Sequence, residues 1–188
     1  MRIVKMVAIA SVVALGACRQ NTTADESAAN DFAMNDVLVD NGAANMTNVA
    51  ASDIDTTFVT DALKGDNGEV AIGNLAAVQA SSQAAKDFGR TLATDHGAHK
   101  QKLLALASAA GIPATDEPSD EAKTNLEKLK ALKGADFDKE FKRMMVEDHE
   151  KDIAKYEKQA SAGDPQTSAL AKETLPTLKK HLETAKSL

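Results

Sequence analysis

From Asp55 to the end of the chain, apolar residues recur at the three- and four-residue spacing of amphipathic α-helices. Two of the connections, Ser81-Ser82 and Gly163-Asp164, are very short, and short connections make consecutive helices antiparallel neighbours. The sequence therefore predicts an all-α, up-down-up-down four-helix bundle, with a short extra helix in its middle connection. The predicted long helices span about 56–80, 83–110, 137–162 and 165–187, and the short helix spans 120–133.

Capping and helix-breaking residues lie where these helices should begin, end or bend. Asp55 and Asp164 are placed as N-caps, whose carboxylates accept hydrogen bonds from free backbone N–H groups. Gly65 and Gly68 inside the first helix predict either a kink or a close contact with another helix. Pro176 inside the last helix removes one backbone hydrogen bond and predicts a kink there.

The composition agrees with close-packed helices and argues against nucleic acid as a partner. Aromatic residues make up 3% of the chain and Trp is absent, so the core must be built from Leu, Val, Ile, Met and Ala. Such a composition favours helices over a β-sandwich or barrel. The formal net charge is −6, and an acidic chain lacks the basic surface that binds phosphates.

The first residues have the pattern of an export signal. Arg2 and Lys5 precede the apolar stretch 6–15, which is too short to span a bilayer but suits a signal peptide. The following Leu-Gly-Ala-Cys, ending at Cys18, resembles the lipobox of bacterial lipoproteins. Cys18 is the only cysteine in the chain and so has no disulfide partner. We predict a signal peptide over 1–17 and lipidation of Cys18; the alternative is an ordinary secretory signal cleaved near Ala17.

The segment after Cys18 has the composition of a tether. Residues 19–52 are rich in Asn, Ala, Asp, Ser and Thr, with few and scattered apolar residues, and are predicted to be a disordered linker. Residues 53–188 then form the helical domain. This organisation predicts a lipid-anchored, periplasm-facing protein of the bacterial cell envelope. The outer membrane is favoured because Arg19 follows Cys18, where Asp would resemble an inner-membrane retention signal.

Ionisable residues occur on the predicted inner faces of all four long helices. All four histidines of the chain belong to this set, and counting from the two short turns places them at similar heights in the bundle. The predicted inward cluster consists of Glu69, His96, His99, His149 and His181, with Asp95, Asp148 and Asp152 as supporting residues around it.

Two interpretations of this cluster remain open. Imidazoles with carboxylates suit a transition metal such as Fe, Zn, Mn or Cu, and bundle cores often hold such sites. The alternative is a buried hydrogen-bonded network in a structural or interaction module. A carboxylate-bridged di-iron centre is disfavoured because no Glu-x-x-His pair occurs. An enzyme that uses a His–carboxylate pair ranks last, because the chain has neither a nucleophile elbow nor a phosphate-binding Gly-rich loop.

The chain also contains a short internal repeat. The pattern Phe-x-Arg-x4-Asp-His occurs at 88–96 and again, with identical spacing, at 141–149. This repeat suggests two related helical hairpins, at 55–110 and 137–187, around a pseudo-twofold axis.

Several motifs in this order resemble one bacterial family: Glu69-Val70-x-Ile72-Gly73-x-Leu75-Ala76, Phe88 through Asp95-His96, Gly134-x-x-Phe137-Asp138, Asp148-His149 and Leu175-Pro176-x-Leu178-x-x-His181-Leu182. The family is called domain of unknown function 4142 and is often described as membrane or outer-membrane proteins. The resemblance covers about residues 54–187 and implies an exported helical bundle akin to the ferritin-like superfamily. It singles out Glu69, His96, His149 and His181, does not clearly include His99, and implies no settled activity. The helical periodicity, in contrast, places His99 further inward than His96, so the choice of the inner ligand between these two histidines stays open.

Overall fold

The computed structural model describes residues 54–188, and within this range the chain is all-helical, with five helices and no strand. The predicted signal peptide, Cys18 and the linker lie outside the described residues. Within 54–188, no helix is both apolar enough and long enough to cross a bilayer. The helices are α1 (Thr56–Gln79), α2 (Gln83–Ala110), α3 (Asp120–Ala131), α4 (Gly134–Ala162) and α5 (Pro165–Ser187).

The helix starts confirm the predicted caps. Oδ1 of Asp55 accepts a hydrogen bond from the backbone N–H of Phe58, 2.9 Å away. Asp164 accepts from the backbone N–H groups of Gln166 and Thr167, at 2.9 and 3.0 Å. These carboxylates satisfy N–H groups that have no partner inside the helix. Pro176 lies inside the last helix, which continues past it to Ser187.

The boundary between α3 and α4 differs from the prediction. Helix α3 ends at Ala131 rather than at 133, because Leu132 adopts an extended conformation. Helix α4 begins at Gly134 rather than after Asp136. Gly134 has a φ of 59°, which glycine adopts without steric cost, so the chain turns directly from one helix into the next.

The long helices form two hairpins. Helix α1 packs along α2 and α4 packs along α5, while α3 lies against α1 and α4. The first hairpin is tight, because a Cβ on Gly73 would lie 2.6 Å from the carbonyl oxygen of Gly89. Gly68 explains the predicted close contact, since a Cβ there would lie 2.5 Å from Cβ of Ala122 on α3. Small residues therefore set the spacing of α1 against both neighbours.

The apolar core is divided into two clusters by a layer of polar residues. One cluster contains Phe88 and Phe141, and the other contains Phe58, Leu103 and Tyr156. On each of α1, α2, α4 and α5, the buried ionisable residues lie along the sequence between the residues of the two clusters. The core thus places a buried polar layer at one level of the helices.

The two copies of the internal repeat meet in this core. The ring centroids of Phe88 and Phe141 are 6.0 Å apart, and those of His96 and His149 are 5.8 Å apart. Equivalent positions of two related halves come into contact near a twofold axis. The contacts therefore agree with the pseudo-twofold relation that the sequence suggests.

Candidate metal centre

All four histidines lie in the buried polar layer. His149 and His181 are 0% and 1% exposed, and His96 and His99 are 5% and 8% exposed. Burying an imidazole is costly unless its two nitrogens find partners. The partners of each ring therefore decide what the layer can do.

A single carboxylate holds the two histidines of α2. Asp66, on α1, accepts hydrogen bonds from Nδ1 of His96 at 2.9 Å and from Nδ1 of His99 at 2.8 Å. A carboxylate can only accept, so Nδ1 of each ring carries the hydrogen and Nε2 is left with a lone pair when the ring is neutral. Both Nε2 atoms are buried and have no hydrogen-bond partner among residues 54–188.

Asp66 and His96 each stabilise the charged form of the other. Burial raises the pKa of Asp66, but the hydrogen bonds from His96 and His99 outweigh burial and leave that pKa below its ordinary value. Burial lowers the pKa of His96, but the hydrogen bond to Asp66 and the nearby Glu69 carboxylate raise it to about 9. Asp66 is therefore an anion that favours the protonated form of His96.

The histidines of α4 and α5 face each other. Nδ1 of His149 donates to the carbonyl oxygen of Met145 at 2.9 Å, and Nε2 of His181 donates to Asp95 at 2.8 Å. The remaining nitrogens, Nε2 of His149 and Nδ1 of His181, are 3.3 Å apart. Burial lowers the pKa of His149 to about 3 and also lowers the pKa of His181. Burial thus favours the neutral form of both rings, in which each of these two nitrogens carries a lone pair.

Three histidines from three helices come together at this point. One ring nitrogen each of His96, His149 and His181 lies within 4.8 Å of the other two. The ring centroids are 5.3–5.8 Å apart in the three pairs. In every ring, the other nitrogen donates a hydrogen bond to an oxygen acceptor. Such a hydrogen bond usually orients a histidine that binds a metal. The cluster has the donor set of a metal site.

Glu69 lies beside this cluster without entering it. Its Oε1 is 3.9 Å from Nδ1 of His149, the nitrogen that is bonded to Met145, and its buried Oε2 has no partner among residues 54–188. Burial raises the pKa of Glu69 to about 8. His99 also stays outside the cluster: its Nδ1 bonds to Asp66, and its ring lies beside that of Tyr156.

The three predicted supporting aspartates have different positions. Asp95 accepts from His181, and its side chain is 40% exposed. Asp148 and Asp152 are half-buried and line, together with Glu69, a cavity of about 100 Å³ between α1, α3 and α4. Burial raises the pKa of both residues, in the case of Asp148 to about 6.

Asp66 is the site residue that the sequence reasoning missed. It stands between Gly65 and Asn67 in a polar stretch, where an acidic residue is expected to face solvent. Its spacing does carry a signal, because Ala62, Asp66 and Glu69 follow one another at i, i+4 and i+7 on a single helix face.

Comparison with known proteins assigns the family. A family model described as "Domain of unknown function (DUF4142)" matches residues 41–188, which is most of the chain. The chain belongs to this family. No curated protein and no solved structure shows significant similarity to it.

Proposed function

We propose that this member of the DUF4142 family binds a divalent transition-metal ion through His96, His149 and His181. The observation that carries the proposal is the 3.3 Å approach of Nε2 of His149 to Nδ1 of His181, in two rings whose other nitrogens are each hydrogen-bonded to an oxygen atom. Two neutral acceptors at this distance repel each other unless a cation lies between or beside them. Two nitrogens bound tetrahedrally at about 2.0–2.1 Å from one ion would be about 3.4 Å apart.

The donor set narrows the choice of metal. Three imidazole nitrogens suit Zn, Cu or Fe, whereas Mn prefers oxygen ligands. The buried Nε2 of His96 has no other partner in the part of the chain that the structure describes, and it would supply the third nitrogen. A carboxylate-bridged di-iron centre fits less well, because Glu69 is the nearest buried glutamate and its Oε1 faces the occupied Nδ1 of His149.

In this proposal the helices form an up-down-up-down, ferritin-like four-helix bundle that holds the ion at its centre. Helices α2, α4 and α5 would each supply one ligand, and α1 would supply the supporting Asp66. With three protein ligands, one coordination position stays open to water or to a small ligand. Sequestration of a metal, or protection against metal stress in the periplasm, is the role that this chemistry favours.

The proposed location is the periplasmic side of the outer membrane, with a lipid on Cys18 as the anchor. The lipobox-like sequence and the lone cysteine support it. Growth of the expressing bacterium with a labelled fatty acid tests it directly. We expect label on the wild-type protein and none on the Cys18→Ser variant; label on both would rule out this anchor.

The metal site is tested by measuring bound metal in the purified protein, made without a metal-binding tag. The protein is exposed in turn to Zn²⁺, Fe²⁺, Cu²⁺ and Mn²⁺, desalted, and analysed by mass spectrometry for metal per chain. We expect about one equivalent of one metal in the wild type, and a loss of binding in His149→Ala and His181→Ala. His99→Ala is the matched control, because it removes a buried histidine outside the cluster and should keep the full stoichiometry.

A structural module is the second candidate, and the contacts of Asp66 favour it. Asp66 accepts hydrogen bonds from two histidines of the neighbouring helix and so links α1 to α2. In that case the histidine variants lose several kcal/mol of stability whether metal is present or not. A wild-type protein that retains none of the four metals would leave this candidate in place and rule out the metal site.

A further inference from the structure

His99 is the one buried histidine that the proposed metal site does not use. Its Nδ1 is held by Asp66, and its Nε2 is buried without a partner among the described residues. His99 as a whole is only 8% exposed. A nitrogen in this state has lost its hydrogen bonds to water and gained none in return, as is typical of a ligand atom.

His99 lines a cavity of about 30 Å³ that also reaches two of the proposed ligands. We call it the histidine cavity; its lining includes His96, His99 and His181. Its size allows about two water molecules. The cavity therefore has room for a partly hydrated metal ion, and it is too small for an organic substrate.

The mouth of the histidine cavity carries negative charge. The side chains of Asp61 and Asp95 line it and are 53% and 40% exposed, so they reach solvent. Asp152 also lines the cavity and is half-buried, and Lys155, 3.8 Å from Asp61, is the basic residue in the lining. Acidic residues at the entrance of a cavity, on a protein of net negative charge, raise the local concentration of cations.

Gly65 borders both the histidine cavity and the cavity between α1, α3 and α4. A Cβ on Gly65 would meet nothing within 4 Å, although the residue lies inside α1. Glycine inside a helix is less stable than alanine, and here no packing contact requires it, in contrast to Gly73. The space beside Gly65 is therefore open volume on the way to the histidines.

We propose that the histidine cavity is the passage by which a divalent transition-metal ion reaches the three-histidine site, and that Nε2 of His99 binds the ion in transit. This inference rests on the proposed metal site and adds the route to it. A passage affects how fast the ion enters and leaves, whereas the three ligands determine how tightly it is held.

The test is the rate of metal binding to the full-length protein, with Co²⁺ as the probe because its visible absorption reports nitrogen coordination. Gly65→Leu places a side chain in the passage. Gly97→Leu is the matched control, because Gly97 also lies inside a helix with nothing within 4 Å of a Cβ and does not line the histidine cavity. We expect at least tenfold slower association in Gly65→Leu, with the final absorbance unchanged, and wild-type kinetics in Gly97→Leu.

A second variant tests the transit ligand. His99→Ala should slow association severalfold while it keeps the final absorbance. If Gly65→Leu does not fold, as judged by circular dichroism, Gly65→Ser serves as a smaller obstruction and should give an intermediate rate. Wild-type rates in both a folded Gly65 variant and His99→Ala would overturn the passage and leave the metal site standing. A wild-type protein with no Co²⁺ absorption, and no retained metal of any kind, would overturn both.

Discussion

The two helical hairpins each contribute two buried histidines, but they fix them in opposite ways. In the α1–α2 hairpin, one buried carboxylate, Asp66, accepts from both His96 and His99. In the α4–α5 hairpin, His149 donates to a backbone carbonyl within its own helix, and His181 donates to a half-exposed aspartate on α2. A buried carboxylate thus holds the first pair, whereas a backbone carbonyl and a partly exposed carboxylate hold the second.

This difference separates the protonation states of the ligands. The pKa of His96 is raised to about 9, whereas the pKa of His149 is lowered to about 3. At neutral pH, the α4–α5 pair is ready to donate its lone pairs, and His96 holds a proton that a metal ion must displace. Metal and proton therefore compete for His96 but not for His149.

The largest effect is expected from Asp66→Ala, which removes the charge that organises the first hairpin. Two buried histidines lose their acceptor, so the free energy of unfolding should fall by about 3–5 kcal/mol. Metal affinity should fall by about 10- to 100-fold, because Asp66 orients His96. Urea denaturation and a metal titration measure the two effects. Asp61→Ala, on the same helix with a half-exposed side chain, is the control and should change the stability by less than about 1 kcal/mol.

Glu69 should make the stability of the apo-protein fall as pH rises. In the unfolded chain its carboxyl ionises near pH 4.5, whereas in the fold its pKa is about 8. Between these values unfolding releases a proton, so the stability contributed below pH 4.5 is lost as pH rises through 8. Between pH 5 and pH 7 this loss amounts to about 3 kcal/mol. In Glu69→Gln, urea denaturation at pH 5, 7 and 8.5 should show a smaller decline than in the wild type; identical profiles would contradict a buried, protonated Glu69.

The close approach of α1 and α2 gives the next effect. Gly73→Ala places a Cβ 2.6 Å from the carbonyl oxygen of Gly89, and the helices must separate to admit it. We expect a loss of about 1–3 kcal/mol. Gly97→Ala meets nothing within 4 Å and should stabilise the protein by up to about 1 kcal/mol. Thermal melts of the two variants should therefore shift in opposite directions, and a shift in the same direction would show that the first hairpin is not tightly packed.

The helices could be predicted from the sequence more completely than the site. Apolar periodicity and caps such as Asp55 and Asp164 act locally, so they define α1, α2 and α5 to within a residue. The start of α4 was missed because it depends on a positive φ at Gly134, which spacing does not reveal.

The composition of the site depends on contacts between helices, which periodicity alone does not specify. Counting along the helices brought the four histidines into one layer, and all of them are buried. Asp66 accepts from both His96 and His99, but only His96 converges with His149 and His181. The ring of His99 lies beside Tyr156 instead. The Asp66 carboxylate was overlooked because burial of an aspartate requires partners on another helix.

The smallest effect is expected from Asp95→Ala, which removes the acceptor of His181 in the second hairpin. Asp95 accepts from Nε2 of His181, as Asp66 does from His96, but its side chain is 40% exposed and water can replace it. We expect a loss of stability below about 1 kcal/mol, and a fall in metal affinity smaller than that of Asp66→Ala. Denaturation and metal titration of Asp66→Ala and Asp95→Ala in parallel decide the matter. Equal losses would mean that both hairpins depend on their aspartates alike, and that the contrast between a buried charge and a solvated one does not govern this site.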